Sequence, residues 1–213
     1  MSVDYHGQLI DAALALNDSG INRGTAGNLS VRFEQGMLIT PSGMDYADIS
    51  AADLVAIGFD GRTRGRRKPS SEWRIHLDLY RAREDVAAIV HAHPPACAAL
   101  ACHSMPIPPF HYMVAVAGGK DIRCSGYATF GSQALSDEVL RAMEDRKACL
   151  MAHHGMIATG ATPERALALA VEVETLAEMY SRCLAIGTPP LLSDEEMARV
   201  LEQFRDYGPA HGH

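Results

Sequence analysis

Apolar positions along the chain switch between a helical period and an alternating one, and the switches outline its elements. Residues 4 to 18 carry Ile10, Ala12, Ala13, Leu14 and Leu16 at helical spacing and end on Asn17-Asp18-Ser19-Gly20, which predicts an amphipathic helix with a glycine stop. Leu29 to Phe33 and Met37 to Thr40 follow as short extended segments, joined through Glu34-Gln35-Gly36 as in a hairpin. Leu54 to Phe59, closed by Asp60-Gly61, is a third strand. After Pro69, Ser70-Ser71-Glu72 opens a helix to about Arg83, because serine oxygens cap free N–H groups and an early acid suits the helix dipole.

Val86 to His93 reads as a buried strand with polar final residues, stopped by Pro94-Pro95. Beyond a proline-bounded loop at 106 to 109 come an apolar segment from Tyr112 to Ala117, a short strand near Ile122 and a helix from about Ser132 to Glu144. Strands Ala148 to Ala152 and Met156 to Thr159 flank the corner His153-His154-Gly155. Thr162-Pro163-Glu164 supplies a cap and a first-turn proline for a helix to about Ile186, and Ser193-Asp194-Glu195-Glu196 starts a last helix ending near Phe204. Strands that alternate with helices, together with hairpins, predict an α/β fold: a mixed β-sheet covered by helices on both faces, in a single domain over 1–213 with a mobile tail from about 205.

A length of 213 residues suits one core, and 47% hydrophobic with 21% charged residues is ordinary for a globular protein. The net charge of -7 excludes the broad basic surface that neutralises nucleic-acid phosphates, while leaving room for a small local anion site. Five cysteines, an odd number without a C-x-x-C pair, suggest neither a disulfide framework nor a four-cysteine zinc module. The N-terminal residues are unlike a secretory signal, and no apolar run reaches the roughly 18 to 20 residues of a membrane helix. The expectation is a cytoplasmic protein that binds neither nucleic acid nor membrane.

His91 and His93 stand two apart on a strand, so both imidazoles project from one face and can share an ion. His154 at a second strand end and Glu72 in the first turn of a helix make a three-histidine and carboxylate set possible, which suits zinc and tolerates other divalent transition metals. His6, His76, His103, His111, His153, His211 and His213 are read as structural, although His76 lies one helical turn beyond Glu72. Gly27-Asn28, Ser42-Gly43 and Ser70-Ser71 are corners whose free N–H groups can cradle a phosphate, though each alone also reads as a turn or cap. The basic run from Arg62 to Lys68 is read as a solvated loop.

Taken together, Gly24-Thr25-Ala26-Gly27-Asn28-Leu29-Ser30, Leu38-Ile39-Thr40-Pro41-Ser42-Gly43, Pro69-Ser70-Ser71-Glu72, His91-Ala92-His93 and His153-His154-Gly155 resemble the class II sugar-phosphate aldolase family. Ile107 to Met113, Tyr127 to Gly131 and Phe204 to Tyr207 extend the resemblance over nearly the whole chain. It implies zinc, with Mn2+, Co2+ or Fe2+ as substitutes, on His91, His93, His154 and Glu72, the last also an acid/base that leaves the metal. It implies phosphate held by Gly27, Asn28, Ser42, Gly43, Ser70 and Ser71, and an aromatic pocket from Phe130 and Tyr207. Tyr112 matches a tyrosine that reaches a neighbouring subunit's site, and the implied assembly is a homotetramer with active sites at subunit interfaces.

The implied reaction cleaves a 1-phosphoketose reversibly to dihydroxyacetone phosphate and an aldehyde, with L-fuculose 1-phosphate first and 5-deoxyribulose 1-phosphate or 5-methylthioribulose 1-phosphate also eligible. The same residues are similar to those of ribulose-phosphate 4-epimerases and a methylthioribulose-phosphate dehydratase, which form the alternative. Glutamate rather than aspartate at position 72 leans toward the aldolase. The adducin head, a non-enzymatic relative of the same fold, does not retain the metal ligands, whereas all are present here.

Overall fold

In the computed structural model, which describes residues 4–206, eight strands form one sheet. They are β1 (Asn28–Phe33), β2 (Gly36–Ile39), β3 (Val55–Gly58), β4 (Thr63–Arg64), β5 (Ala88–Ala92), β6 (Cys124–Ser125), β7 (Ala148–Met151) and β8 (Gly155–Gly160). Their order is β4-β3-β2-β1-β5-β8-β7-β6, antiparallel throughout except where β6 runs parallel to β7. The helices are α1 (Tyr5–Asp18), α2 (Trp73–Ala82), α3 (Pro95–Cys102), α4 (Gln133–Ala142), α5 (Pro163–Ile186) and α6 (Asp194–Asp206). The expected mixed sheet covered on both faces is therefore what forms.

Strand alternation divides the core in two. Leu29, Val31, Ala88, Val90, Leu150 and Ala158 pack in one layer with α1, α3, α5 and α6. Met37, Ile39, Val55, Ile57, Ile89, Cys149 and Ile157 pack in the other with α2 and α4. The even positions of β1 and odd positions of β5 share the α2 side, and the register pairs Asn28 with His91 and Ser30 with Ile89. A polar group from β1 and a histidine from β5 thus meet under the start of α2.

Four segments differ from expectation. The basic run contains β4, whose Arg64 pairs with Glu34, while Arg66 and Arg67 both reach Asp53 at 2.8 Å. These side chains remain about half exposed or more, so the solvated reading holds for them while the backbone joins the sheet edge. Pro94-Pro95 does stop β5, but Pro95 also begins α3, because a proline at the first helical position gives up only an N–H that has no helical partner. The segment Tyr112–Ala117 is a 3-10 helix ended by left-handed Gly118, and Ile122 makes a single bridge to Ile107. The last helix runs to Asp206 rather than ending near Phe204; Tyr207 and the rest of the expected tail lie outside the described residues.

No side chain of its own caps α3; instead the N–H groups of Ala96 and Cys97 each donate to the Glu174 carboxylate of α5, at 2.8 Å. This cross-helix cap fixes the chain just after His93 and places a negative charge at a helix N-terminus, where the dipole favours it. Glu174→Ala is expected to lower stability by about 1–3 kcal/mol, since it leaves two charge-assisted bonds unmade. Urea unfolding measures this, and a loss within about 0.5 kcal/mol of zero would show the cap to be dispensable.

Candidate metal and substrate site

Glu72 occupies the N-cap position of α2, yet its carboxylate makes no capping hydrogen bond. Capping falls instead to Ser70, whose Oγ accepts from the Glu72 N–H at 3.3 Å. Freed from the helix, the carboxylate points inward and is buried. Its Oε2 lies 2.9 Å from His91 Nε2, and its Oε1, which has no hydrogen bond, lies 3.1 Å from His154 Nε2.

The three histidines arrive from two strand ends. His91 belongs to β5, and His93 continues the same face beyond it. His153 takes a left-handed φ of 53°, an unusual conformation for a residue with a side chain, and turns the chain between β7 and β8. The reversal brings His154 opposite the other two, with ring centroids 4.9 Å from His91 and 4.8 Å from His93. Gly155 is required beside it, because a Cβ there would stand 2.4 Å from the Ala92 carbonyl and 2.6 Å from His93 Cδ2. Gly27 is required for the same reason, since its Cβ would stand 2.7 Å from the His91 carbonyl.

The ligand atoms of Glu72, His91, His93 and His154 all lie within 4.8 Å of one another. Donors on an ideal zinc tetrahedron stand about 3.4 Å apart. His91 Nδ1 donates to the Met156 carbonyl at 2.8 Å, which aims Nε2 at Glu72 Oε2 and at His93 Nε2, 2.9 Å from each. Two ring nitrogens at that distance share one proton, a place that a metal cation can take. The donor set and the unbonded Glu72 oxygen therefore fit a divalent metal.

Electrostatics couple the same groups. Burial alone would raise the Glu72 carboxyl, but His91 and His154 outweigh it and hold the group below the ordinary carboxylate range. Burial pushes His91 down, yet the Glu72 charge and its hydrogen bond pull it above the usual imidazole value. Burial, with His91 and His154 adjacent, lowers His93 to about 4 and keeps it neutral, as a ligand must be.

Around this cluster is a cavity of about 320 Å³ lined by Ala26, Ser71, Glu72, His93, Tyr127, Ala128, Phe130, His153 and His154. Phe130 stands at its edge, 66% exposed. The anion corners lie side by side: Pro41 bridges Pro69, the Ser42 N–H donates to the Lys68 carbonyl, and the Ser70 N–H donates to the Thr40 carbonyl. Thr40 in turn pairs with Leu29, next to Asn28. The side-chain amide of Asn28 is engaged with Glu72 and His76. Tyr112, 51% exposed, does not line this cavity, so a single chain does not bring it to the metal ligands. Tyr127, His153 and Ala26 were not expected in the lining; Tyr127 packs edge-on against the His153 ring at 5.7 Å.

The chain matches the family described as Class II Aldolase and Adducin N-terminal domain over residues 7–181. It is 60% identical over 203 residues to the 5-methylthioribulose-1-phosphate/5-deoxyribulose-1-phosphate aldolase of Rhodospirillum rubrum, covering 95% of this chain and 91% of that one. It is 48% identical over 202 residues to the L-fuculose phosphate aldolase of Escherichia coli strain K12, covering 94% of each chain. A solved structure of an L-fuculose 1-phosphate aldolase superposes with a TM-score of 0.92 at 41% identity, over 96% of this chain and 98% of that one.

Gly155→Ala, which removes no ligand, is expected to weaken zinc affinity about tenfold or more by displacing His93, in line with losses seen when supporting groups around a metal are changed. Competition titration against a chromogenic chelator reads this, and an affinity equal to that of the unmodified protein would contradict the close packing described for Gly155.

Proposed function

The chain belongs to the class II aldolase and adducin N-terminal domain family, and on that premise we propose that it is a metal-dependent aldolase acting on a 1-phosphoketose. The products are dihydroxyacetone phosphate and an aldehyde, and the reaction is reversible. The observation that carries this reading is the convergence of Glu72, His91, His93 and His154 at one end of a cavity that Ser71 also lines. The name of the relative at 60% identity puts 5-deoxyribulose 1-phosphate and 5-methylthioribulose 1-phosphate ahead of L-fuculose 1-phosphate, the name at 48%. That reverses the order expected from the sequence motifs.

Breaking the carbon–carbon bond requires a sink for the electron pair left beside the ketone and a base for the hydroxyl beyond the bond. Glu72, His91, His93 and His154 would hold a divalent metal, zinc by their nitrogen and oxygen donors, which would supply a Lewis acid at the ketone oxygen. Glu72 is the proton carrier at the carbon released by cleavage, a role that fits a carboxylate with one oxygen free of hydrogen bonds. Gly27, Asn28, Ser42, Gly43, Ser70 and Ser71 surround the substrate phosphate, with donors from the serine hydroxyls and the Gly27, Gly43 and Ser71 N–H groups, since the Ser42 and Ser70 N–H groups already bond the backbone. Phe130, at the cavity edge, contacts the aldehyde portion.

Tyr112 exchanges a proton with the aldehyde oxygen from a neighbouring subunit. This role is supported by its exposure and by its absence from the cavity of its own chain. It requires an oligomer, and a homotetramer with sites at subunit interfaces meets that requirement. No helix among the described residues is long and apolar enough to cross a membrane, and a cytoplasmic location suits a phosphorylated substrate.

The test couples dihydroxyacetone phosphate release to its reduction, using L-fuculose 1-phosphate, 5-deoxyribulose 1-phosphate and 5-methylthioribulose 1-phosphate with and without chelator. Chelator-sensitive release is expected, fastest from the 5-deoxypentulose phosphates, with Glu72→Gln slower by about 100-fold or more. No release from any of the three by metal-loaded protein would move the assignment to an epimerase or dehydratase. A Glu72→Gln protein retaining both metal and full rate would remove Glu72 from the proton-transfer role.

A further inference from the structure

Behind Glu72 a line of polar side chains runs into the α2 side of the core. Asn28 Nδ2 lies 3.2 Å from Glu72 Oε2, Asn28 Oδ1 lies 2.6 Å from His76 Nε2, His76 Nδ1 lies 2.7 Å from Ser30 Oγ, and Ser30 Oγ lies 2.9 Å from Tyr80 OH. All five residues are at most 5% exposed. The spacing of Asn28 and Ser30 on β1, and of Glu72, His76 and Tyr80 at every fourth residue of α2, makes this alignment a consequence of strand and helix periods.

Only one arrangement of protons satisfies every atom in the line. An ionised carboxylate accepts and cannot donate, so the Asn28 amide nitrogen faces Glu72 and its oxygen faces His76. His76 Nε2 then carries the ring proton and Nδ1 accepts from the Ser30 hydroxyl. Ser30, having donated its only proton, accepts from Tyr80. Four donors point the same way, from Tyr80 toward Glu72. Burial keeps His76 neutral, lowering it to about 3, which is the form this order requires.

We propose that His76 is a positioning residue for Glu72: by presenting Nε2–H to Asn28 Oδ1 it fixes which end of the Asn28 amide meets the carboxylate, and so holds Glu72 Oε2, while Oε1 faces His154. Without that donor the amide can turn and set its oxygen against the carboxylate, two acceptors at hydrogen-bonding distance. The inference rests on the reading of Glu72 as both metal ligand and proton carrier.

Two amides at position 76 separate positioning from packing. In His76→Gln the amide nitrogen takes the place of Nε2 and donates to Asn28; in His76→Asn the amide oxygen takes the place of Nδ1 and accepts from Ser30, while no donor reaches Asn28. The expected result is kcat within about threefold of the unmodified protein for Gln and about tenfold or more lower for Asn, with KM changed less than about twofold in both. The visible spectrum of the cobalt-loaded protein is expected to change in the Asn variant and not in the Gln variant. Indistinguishable behaviour of the two variants overturns the proposal. The cobalt spectra report on the carboxylate even if none of the three ketose phosphates is cleaved, so failure of the aldolase reading is separable from failure of the chain. A measurement without any variant complements them: 15N chemical shifts at neutral pH are expected to show His76 as the Nε2–H tautomer, and an Nδ1–H tautomer or an imidazolium overturns the proposal.

Discussion

Glu72 carries a negative charge to a place 5% exposed, where an unpaired carboxylate costs several kcal/mol. Everything near it answers that cost. His91 and His154 stand within ion-pair distance of its two oxygens, Asn28 donates to one of them, and His93 closes the ring of nitrogens. The same crowding leaves two imidazole nitrogens facing each other and one carboxylate oxygen without a hydrogen bond, a balance that a divalent cation completes. The site is thus held together by charges that are poorly satisfied without a metal, as expected when metal binding couples to proton release.

The rest of the fold can be traced outward from this cluster. Antiparallel pairing of β1 with β5 puts Asn28 opposite His91, and pairing of β5 with β8 brings the His154 corner to the same sheet end. Glycines at 27 and 155 permit backbone approaches that a Cβ would block. Glu174 anchors α3 immediately after His93, so the second histidine is held from a helix on the opposite face of the sheet. Precision at the ligands therefore draws on both core layers, which is how a rigid scaffold keeps lone pairs aimed at one point.

Much of this was legible in the chain because its signals are local. Alternation marked the strands, Pro69-Ser70-Ser71-Glu72 marked the start of α2, and the H-x-H spacing marked the face shared by His91 and His93. What stayed hidden depends on distance in sequence. Nothing near α3 announces that Glu174, 78 residues beyond Ala96, caps it. His76 looked structural because an i,i+4 relation to Glu72 is common, and its link to the site passes through Asn28, 48 residues away in the chain. Tyr127 and His153 reach the cavity only after the β7–β8 turn forms, and Tyr112 takes no place in it within one chain.

If three imidazoles and one carboxylate share a single ion, X-ray absorption of the zinc-loaded protein reads all four ligands at once. The expected first shell is nitrogen and oxygen at about 2.0–2.2 Å with the outer-ring scattering of three imidazoles. A sulfur shell at about 2.3 Å, or fewer than three imidazoles at full occupancy, would contradict it.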